Sequence, residues 1–497
     1  MTEIKKLNDY KQIIEPSGEQ KVPVVFHVSD ELMPDEATIE KLKYIASDKR
    51  VFHHIAALTD VHSKEGRKNP TGSVVATKDY IMPQLNDSAP NCGMRMMALP
   101  FSTDDLNEKQ INDLFQEFVK MVPTKTLVGT PLSYRTILEI SKNGSSALLE
   151  SFKKDKNEIE NTLLKGNMFG DEKITDKDLF EAIPNIFFRI AQLRLGILGE
   201  AGNHFLDLLK VEDILNEEVA EKFNLKRNQY ILLMHTGSGM FGQYCSYFYM
   251  PKKKENKSQQ LIYDFSRATF LKNKVDWHQQ LKKSLPLLES QEEFFGIRED
   301  SKLAKNFLIA HKASANHGFA NRALLQINIE KAIEKVLEKK VSLPVIYDMS
   351  HISILKENHS SDNIWVHRNG STRAFGPQRM KGMKLYEETG EPIFTPSSMS
   401  TPAYLGVATD ENESTFFSAP HGTGKSKEKT SDVPDNKEAL FNKMKNRGVK
   451  LYNARSNGVI NQDASHYKNI EPGVEGMKVN NVMKPVAKMT PKAVLMA

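Results

Sequence analysis

The sequence predicts a large soluble chain that mixes β-strands with helices, and three observations carry that expectation. Its 497 residues are 39% hydrophobic and include 25 Phe and 14 Tyr, enough apolar material for a sizeable core, so a wholly disordered chain is excluded. Short β-rich runs that stop at Gly, Pro or Asn alternate with stretches of helical spacing. No segment recurs with a period of roughly 20 to 50 residues, which sets aside solenoids and propellers.

Residues 1–35 read as a polar entry holding one short strand, Val22–Val28 (VPVVFHV), and a helical stretch follows at Ala37–Ala46. The apolar run Val51–Thr59 leads into TDVHSKEGRKNPTGSVVAT. This is read as a loop between strands, because Gly66, Pro70 and Gly72 interrupt it and Ser73–Thr77 is β-rich. Phe101–Lys120 and Pro131–Phe152 carry helical spacing. Lys, Asp, Glu and Asn crowd the region near 140–190, which predicts a helical, solvated excursion. Glycine-punctuated segments then appear, GILGEAGNHF and YILLMHTGSGMFG, the second placing His235 at the end of a buried strand. A second charged, helical excursion is expected near 251–300, followed by a helix near 303–338 and a strand at 343–347 that runs into His351. IWVHRNGSTRAFGP repeats that pattern with His367, and residues 424–440 read as a mobile linker.

Charge and cysteine usage exclude more than they assign. Lys+Arg is 68 against Asp+Glu 63, a net +5, too slight an excess to demand or exclude a nucleic-acid partner. Cys92 and Cys245 are the only cysteines and form no CxxC pair, so a disulfide framework and a Cys-rich zinc module are excluded. No stretch approaches the roughly 18 consecutive apolar residues of a spanning helix, and the polar N-terminus lacks the apolar region of a signal peptide. A cytoplasmic, reducing compartment without membrane contact is the expectation.

His235, His351 and His367 each end an apolar strand before a polar loop, and His204 sits in a Gly-Asn-His turn. One such histidine is an ordinary surface or hydrogen-bonded group. Four in equivalent settings, with a buried-looking Cys92 in PNCGMR, also suit a borderline transition metal such as Zn or Mn. The glycine-rich segments GSGMFG, HGTGK and RNGS read either as tight turns or as backbone cradles for an anion, although HGTGK lacks the P-loop spacing. Tyr467 and Lys468 fit a base-stacking pair or plain surface equally.

In order, TDVHSKEG, GSVVAT, NCGMR, GNHF, HTGSGMFG, ANHGFANR, YDMSH, HRNGSTRAF, TPSSMSTPAY, PHGTGK and a final YK run from residue 59 to 468. This series resembles the RtcB-type RNA-splicing ligases, whose counterparts approximate to PDVHPGKG, DINCGMR, GSGNHF, HSGSRGLG, YDVAH, HRKGATRA, PGSMGTASY and HGAGR. The resemblance implies an α+β fold of mixed sheets with surrounding helices, not Rossmann, forming one catalytic domain over 1–497. It implies an RNA ligase that uses GTP and Mn²⁺ to join 2′,3′-cyclic phosphate or 3′-phosphate ends to 5′-hydroxyl ends, in RNA repair or tRNA splicing, through a histidine-GMP intermediate. The implied partners are such RNA ends and an archease-like activator. His367 falls on the nucleophile in this alignment. Cys92, His204, His235 and His351 fall on metal ligands. Asn203, Asp207, Ser398, Arg368, Gly370 and Tyr467 fall on nucleotide-binding positions, and Arg322, Arg368 and Arg373 would hold phosphates.

The chain also departs from that pattern. Ala89 stands where the family has a metal-binding Asp, so one metal keeps Cys92, His235 and His351 and a second keeps only Cys92 and His204, unless Asp87 or Asp60 reaches in. Gly239 replaces an arginine and Lys425 another, and Met496 replaces a C-terminal lysine that contacts guanine. These losses leave open a catalytically altered protein that binds RNA ends, metal and nucleotide, or only hydrolyses cyclic phosphates, without ligation.

Overall fold

The structure is a computed structural model that describes residues 3–64, 67–124, 128–199, 203–250, 257–270, 279, 294–426, 432–454 and 457–496. In chain order its strands are β1 (Lys5–Asn8), β2 (Lys11–Ile14), β3 (Val24–Phe26), β4 (Val51–His62), β5 (Thr71–Thr77), β6 (Tyr80–Ile81), β7 (Gly93–Ser102), β8 (Phe205–Ile214) and β9 (Gln229–Thr236). There follow β10 (Ile297–Arg298), β11 (Val345–Ser350), β12 (Ile352–His359), β13 (Asp362–Asn369), β14 (Ser371–Arg373), β15 (Pro392–Thr395), β16 (Ala403–Ala408), β17 (Ser418–Pro420), β18 (Lys450–Tyr452) and β19 (Met483–Met496).

Two large sheets result. One has the order β1-β2-β3-β4-β5-β13-β12, the other β11-β7-β9-β8-β19-β16-β15 with β18 beside β19. Neighbours run antiparallel except β3 with β4 and β18 with β19. A Rossmann sheet is parallel, because each crossover is a helix; these sheets are therefore α+β and not Rossmann, as expected. The short pair β14–β17 is a separate sheet, and β17 leads directly into His421.

The helix Lys302–Leu337 is buried along most of its length, with Phe307, Ala313, His317, Phe319, Leu324 and Ile329 inside. A helix enclosed on all faces has to be apolar around its circumference or satisfy each polar side chain. Arg322 does the latter: its guanidinium bonds Asp348 Oδ1 at 2.8 Å, while Asp348 Oδ2 accepts from Arg95 Nε at 2.7 Å. The region near 140–190 is helical, as its spacing indicates, yet it is not simply a solvated excursion. Leu148, Leu179, Phe187 and Phe188 are buried in the core beside that helix. Dense Lys and Glu on the outer face conceal an apolar stripe at i, i+3 and i+4. Of the excursion near 251–300, Lys257–Phe270 is helical and much of the remainder lies outside the described residues. Of the stretch read as a linker, 427–431 lies outside them too, Lys437 opens the helix Lys437–Asn446, and Gly424–Ser426 is bonded to 466–468.

Several buried histidines belong to this scaffold. Burial holds His27, His311 and His317 down to about 3 and His54 down to about 4. Their folded values lie below the unfolded 6.5, so the stability they contribute is complete above that pH and is lost as pH falls from 6.5 toward 3. The metal-free protein is expected to melt several degrees lower at pH 5 than at pH 7.5. An unchanged Tm would show that these rings accept protons inside the fold.

Candidate active site

Antiparallel pairing brings the predicted ligands to one edge of the second sheet. β7 starts just after Cys92 and β8 just after His204, whereas β9 ends at Thr236 after His235, and β11 ends just before His351. Starts and ends of antiparallel neighbours lie side by side. The register agrees: Gly93 faces Thr236 and Ser350, and Phe205 faces His235. The backbone around Cys92 is closely packed, with His351 N–H donating to Cys92 O at 2.9 Å. A Cβ on Gly93 would lie 2.0 Å from Met349 O, and one on Gly237 2.7 Å from Cys92 Cα, so only glycine fits.

Cys92 Sγ lies 3.4 Å from His235 Nε2 and 3.5 Å from His204 Nε2, and His235 Nε2 lies 2.9 Å from His351 Nε2. Two of these rings are fixed from behind, His204 Nδ1 on Leu198 O at 2.8 Å and His235 Nδ1 on Asn203 O at 2.9 Å. That leaves both Nε2 lone pairs toward the thiol, the arrangement of a metal-binding imidazole. Donors about 2.0–2.3 Å from a common ion stand roughly 3–3.7 Å apart, so Cys92, His235 and His351 fit one metal. His204 reaches Cys92 with Nε2 and meets the His235 ring edge-on, centroids 5.2 Å apart, but stands outside the three-donor group. Burial pushes the thiol up to about 12, His204 down to about 4, and His235 and His351 well below 6.5. A bound cation would reverse that balance for the sulfur and release its proton.

No carboxylate replaces Ala89 among the described residues. Asp87 is 2.6 Å from Arg67. Asp60 instead accepts from His421: its Oδ2 is 2.6 Å from Nδ1 and also faces the His421 main-chain N–H at 3.3 Å. The His421 ring stacks on His351 with centroids 4.5 Å apart. With Nδ1 tied to a carboxylate, Nε2 carries the free lone pair. Lys64 and Lys425 supply positive charge nearby. Lys64 is felt by Cys92, His351 and Lys425, and burial together with Lys64 lowers the Lys425 ammonium. Cations that repel one another beside a half-buried histidine suit a polyphosphate.

The structure does not bring His367 to this cluster. Its ring is fully buried in β13, Nδ1 donating to Val75 O at 3.2 Å and Nε2 accepting from Met82 N–H at 3.1 Å. Both nitrogens are spent on main chain. The three arginines expected on phosphates are spent as well. Arg322 binds Asp348, Asn91 and Thr236 behind the ligands; Arg368 pairs with Glu357; Arg373 pairs with Glu391 at 3.0 Å. Gly370 does reach the site: its φ is +67°, and an added Cβ would be 3.1 Å from His421 Cε1. Asn203 contributes its carbonyl to His235. Asp207 is buried in β8 with Oδ1 unpartnered, and burial raises its carboxyl well above the usual range. Ser398 bonds Thr401, while Tyr467 packs under Lys425 and donates to Gln462. Sequence reasoning misses His421 and Lys64 and offers Asp60 only as a stand-in metal ligand; the available signal is the histidine inside PHGTGK, a segment read as a glycine loop.

A buried Cys–His cluster that could hold a metal lies beside a carboxylate-held histidine on an α+β scaffold. The family model described as tRNA-splicing ligase RtcB matches residues 41–497, so the chain belongs to the RtcB family. Relatives named tRNA-splicing ligase RtcB include the Nanoarchaeum equitans protein, 28% identical with 99% of each chain covered. The Pyrobaculum aerophilum protein is 27% identical over 99% of each chain, and that of Methanococcus maripaludis is 29% identical over 82% of this chain and 80% of its own. Among the described residues no helix is long and apolar enough to cross a membrane.

Proposed function

We propose that the protein is an RNA ligase that joins 3′-phosphate or 2′,3′-cyclic phosphate ends to 5′-hydroxyl ends with GTP and Mn²⁺, and that His421, not His367, is its nucleophile. One observation carries the reading: the His421 ring, fixed by Asp60, stacks on His351 of the Cys92–His235–His351 group. Nε2 of His421 forms a bond to the α-phosphorus of GTP as the bond to pyrophosphate breaks. Asp60 keeps the proton on Nδ1 and stabilises the imidazolium that develops. Lys64 and Lys425 hold the polyphosphate, and Lys425, bonded to Asn461 O at 2.8 Å, sits beside Tyr467. GMP then passes to the RNA 3′-phosphate and leaves when the 5′-hydroxyl attacks; a cyclic phosphate is first opened by water. A metal held by Cys92, His235 and His351 supplies Lewis-acid neutralisation of phosphate charge.

RNA beyond the junction has room in a groove of about 820 Å³ whose border mixes Arg135, Lys165, Arg379 and the Glu391-paired Arg373 with Glu139, Glu150 and Asp171. It begins one short strand from His421, because Arg373 ends β14 and β14 pairs with β17. tRNA-splicing or repair substrates, an archease-like activator and a cytoplasmic setting complete the proposal. The test is sealing of a short RNA bearing a 2′,3′-cyclic phosphate to a 5′-hydroxyl partner in Mn²⁺ and GTP, with ATP in parallel. Ligated product establishes the activity. Cyclic phosphate opened without joining would favour the hydrolase alternative that the missing carboxylate at Ala89 raises.

A further inference from the structure

Asp60 lies in the irregular part of β4, where the pairing with β5 shifts between Ala57 and His62. Strand irregularities re-aim side chains but need outside support. Two glycines pack closely on Asp60. A Cβ on Gly72 would lie 2.4 Å from Asp60 Oδ1, and one on Gly424 2.5 Å from Asp60 O. What fixes the segment lies underneath. Lys468 Nζ donates to Val61 O at 3.1 Å and Thr59 O at 3.3 Å, the two carbonyls that flank Asp60, and to Leu32 O at 2.8 Å. Its own main-chain N–H donates to Gly424 O at 3.2 Å, while Ser426 N–H donates to His466 O at 3.0 Å and Lys425 bridges to Tyr467.

We propose that Lys468 is a positioning residue: its ammonium locks the turn that aims Asp60 at His421, while its main chain anchors the loop that follows His421. The assignment rests on His421 being the nucleophile. The chemistry of the site explains the residue type. Three carbonyl oxygens converge on one point, which suits the three donors of an ammonium and not the planar fork of arginine. An ammonium with three neutral acceptors and, among the described residues, no carboxylate in contact costs desolvation, and burial pulls Lys468 down to about 8, with Asp60 the charge that restrains the fall. Such a cost is retained where geometry matters.

The test compares wild-type protein with Lys468→Met, which keeps the apolar stem, in Mn²⁺ and α-labelled GTP. The variant is expected to take up label about 10²-fold more slowly at saturating nucleotide, as a displaced reacting group would. Half-saturating nucleotide should stay within about twofold and metal content should be unchanged, because Lys468 touches neither. An independent readout is the Nδ1 proton resonance of His421, identified by its absence in His421→Gln; its low-field position, set by Asp60, should be lost in Lys468→Met. A folded Lys468→Met with wild-type rate and resonance overturns the proposal. Should Lys468→Met fail to fold, Lys468→Arg, which keeps charge but not the tripod, carries the same expectations and the same refutation. Absence of label in wild-type protein would refute the nucleophile, while the resonance comparison would still decide the role of Lys468.

Discussion

His421→Ala is expected to abolish the acid-labile label that the protein acquires from α-labelled GTP and Mn²⁺, a loss of about 10³-fold or more. Removing the attacking atom of a covalent mechanism leaves only binding and electrostatic contributions, so the deficit should appear in the rate and not in nucleotide affinity. The change removes a partly exposed ring that stacks on His351 but also takes the Nδ1 partner from buried Asp60, so the loss of label is read on protein shown to be folded. His367→Ala supplies the contrast. It deletes a fully buried ring whose two nitrogens bond main chain, leaving the Val75 carbonyl and Met82 N–H unsatisfied. Its expected cost is stability, about 1–3 kcal/mol or more for the unpaired groups, with labelling retained by the folded fraction. The outcome that would sink this assignment is a folded His367→Ala that takes no label while His421→Ala still does.

Cys92→Ala is expected to empty the metal centre. The purified protein should carry about one tightly bound Mn²⁺ or Zn²⁺ per chain, and the variant less than about a tenth of that. Cys92 is the donor common to His204 on one side and His235 on the other, so its loss reduces the stronger site to two imidazoles. Binding to the folded state alone stabilises it by about 2.7 kcal/mol when metal stands at 100 times Kd. Chelator should therefore lower the wild-type Tm and leave that of Cys92→Ala unmoved. Two ions at full occupancy in the wild type would mean that some group substitutes for the carboxylate missing at Ala89, and the ligand count would need revision.

The Cys–His cluster was legible because each of its residues sits at or beside the end of a strand that is apolar in sequence, and antiparallel pairing gathers such positions at one end of the sheet. His367 shares that local signature. What separates it from His235 is the face of the strand on which it lies and whether backbone donors fill its nitrogens, and neither is written locally. Arg368 misled for a related reason. Its partner Glu357 lies eleven residues earlier across the β12–β13 hairpin, with Phe416 and Phe417 supplying further acceptors from a distant loop. Nothing near HRNGS announces those acceptors. His421 was obscured because β17, the strand before it, has only three residues, too short to give a periodic signal. Asp60 was in view only as a stand-in metal ligand, and the irregular pairing of β4 around it cannot be inferred from composition.

The placement of β19 sets a schedule for synthesis. This strand of 14 residues pairs with β8 on one side and β16 on the other, so both neighbours are translated well before the segment that joins them. Until residues 483–496 emerge, two partial sheets present raw edges with unpaired amides and carbonyls, the surfaces on which wrong pairing and aggregation begin. A ribosome stalled before residue 483 would therefore hold a chain with all of its metal-binding side chains made and no closed sheet to carry them. Nascent-chain chaperones should engage it longest in the interval before residues 483–496 emerge.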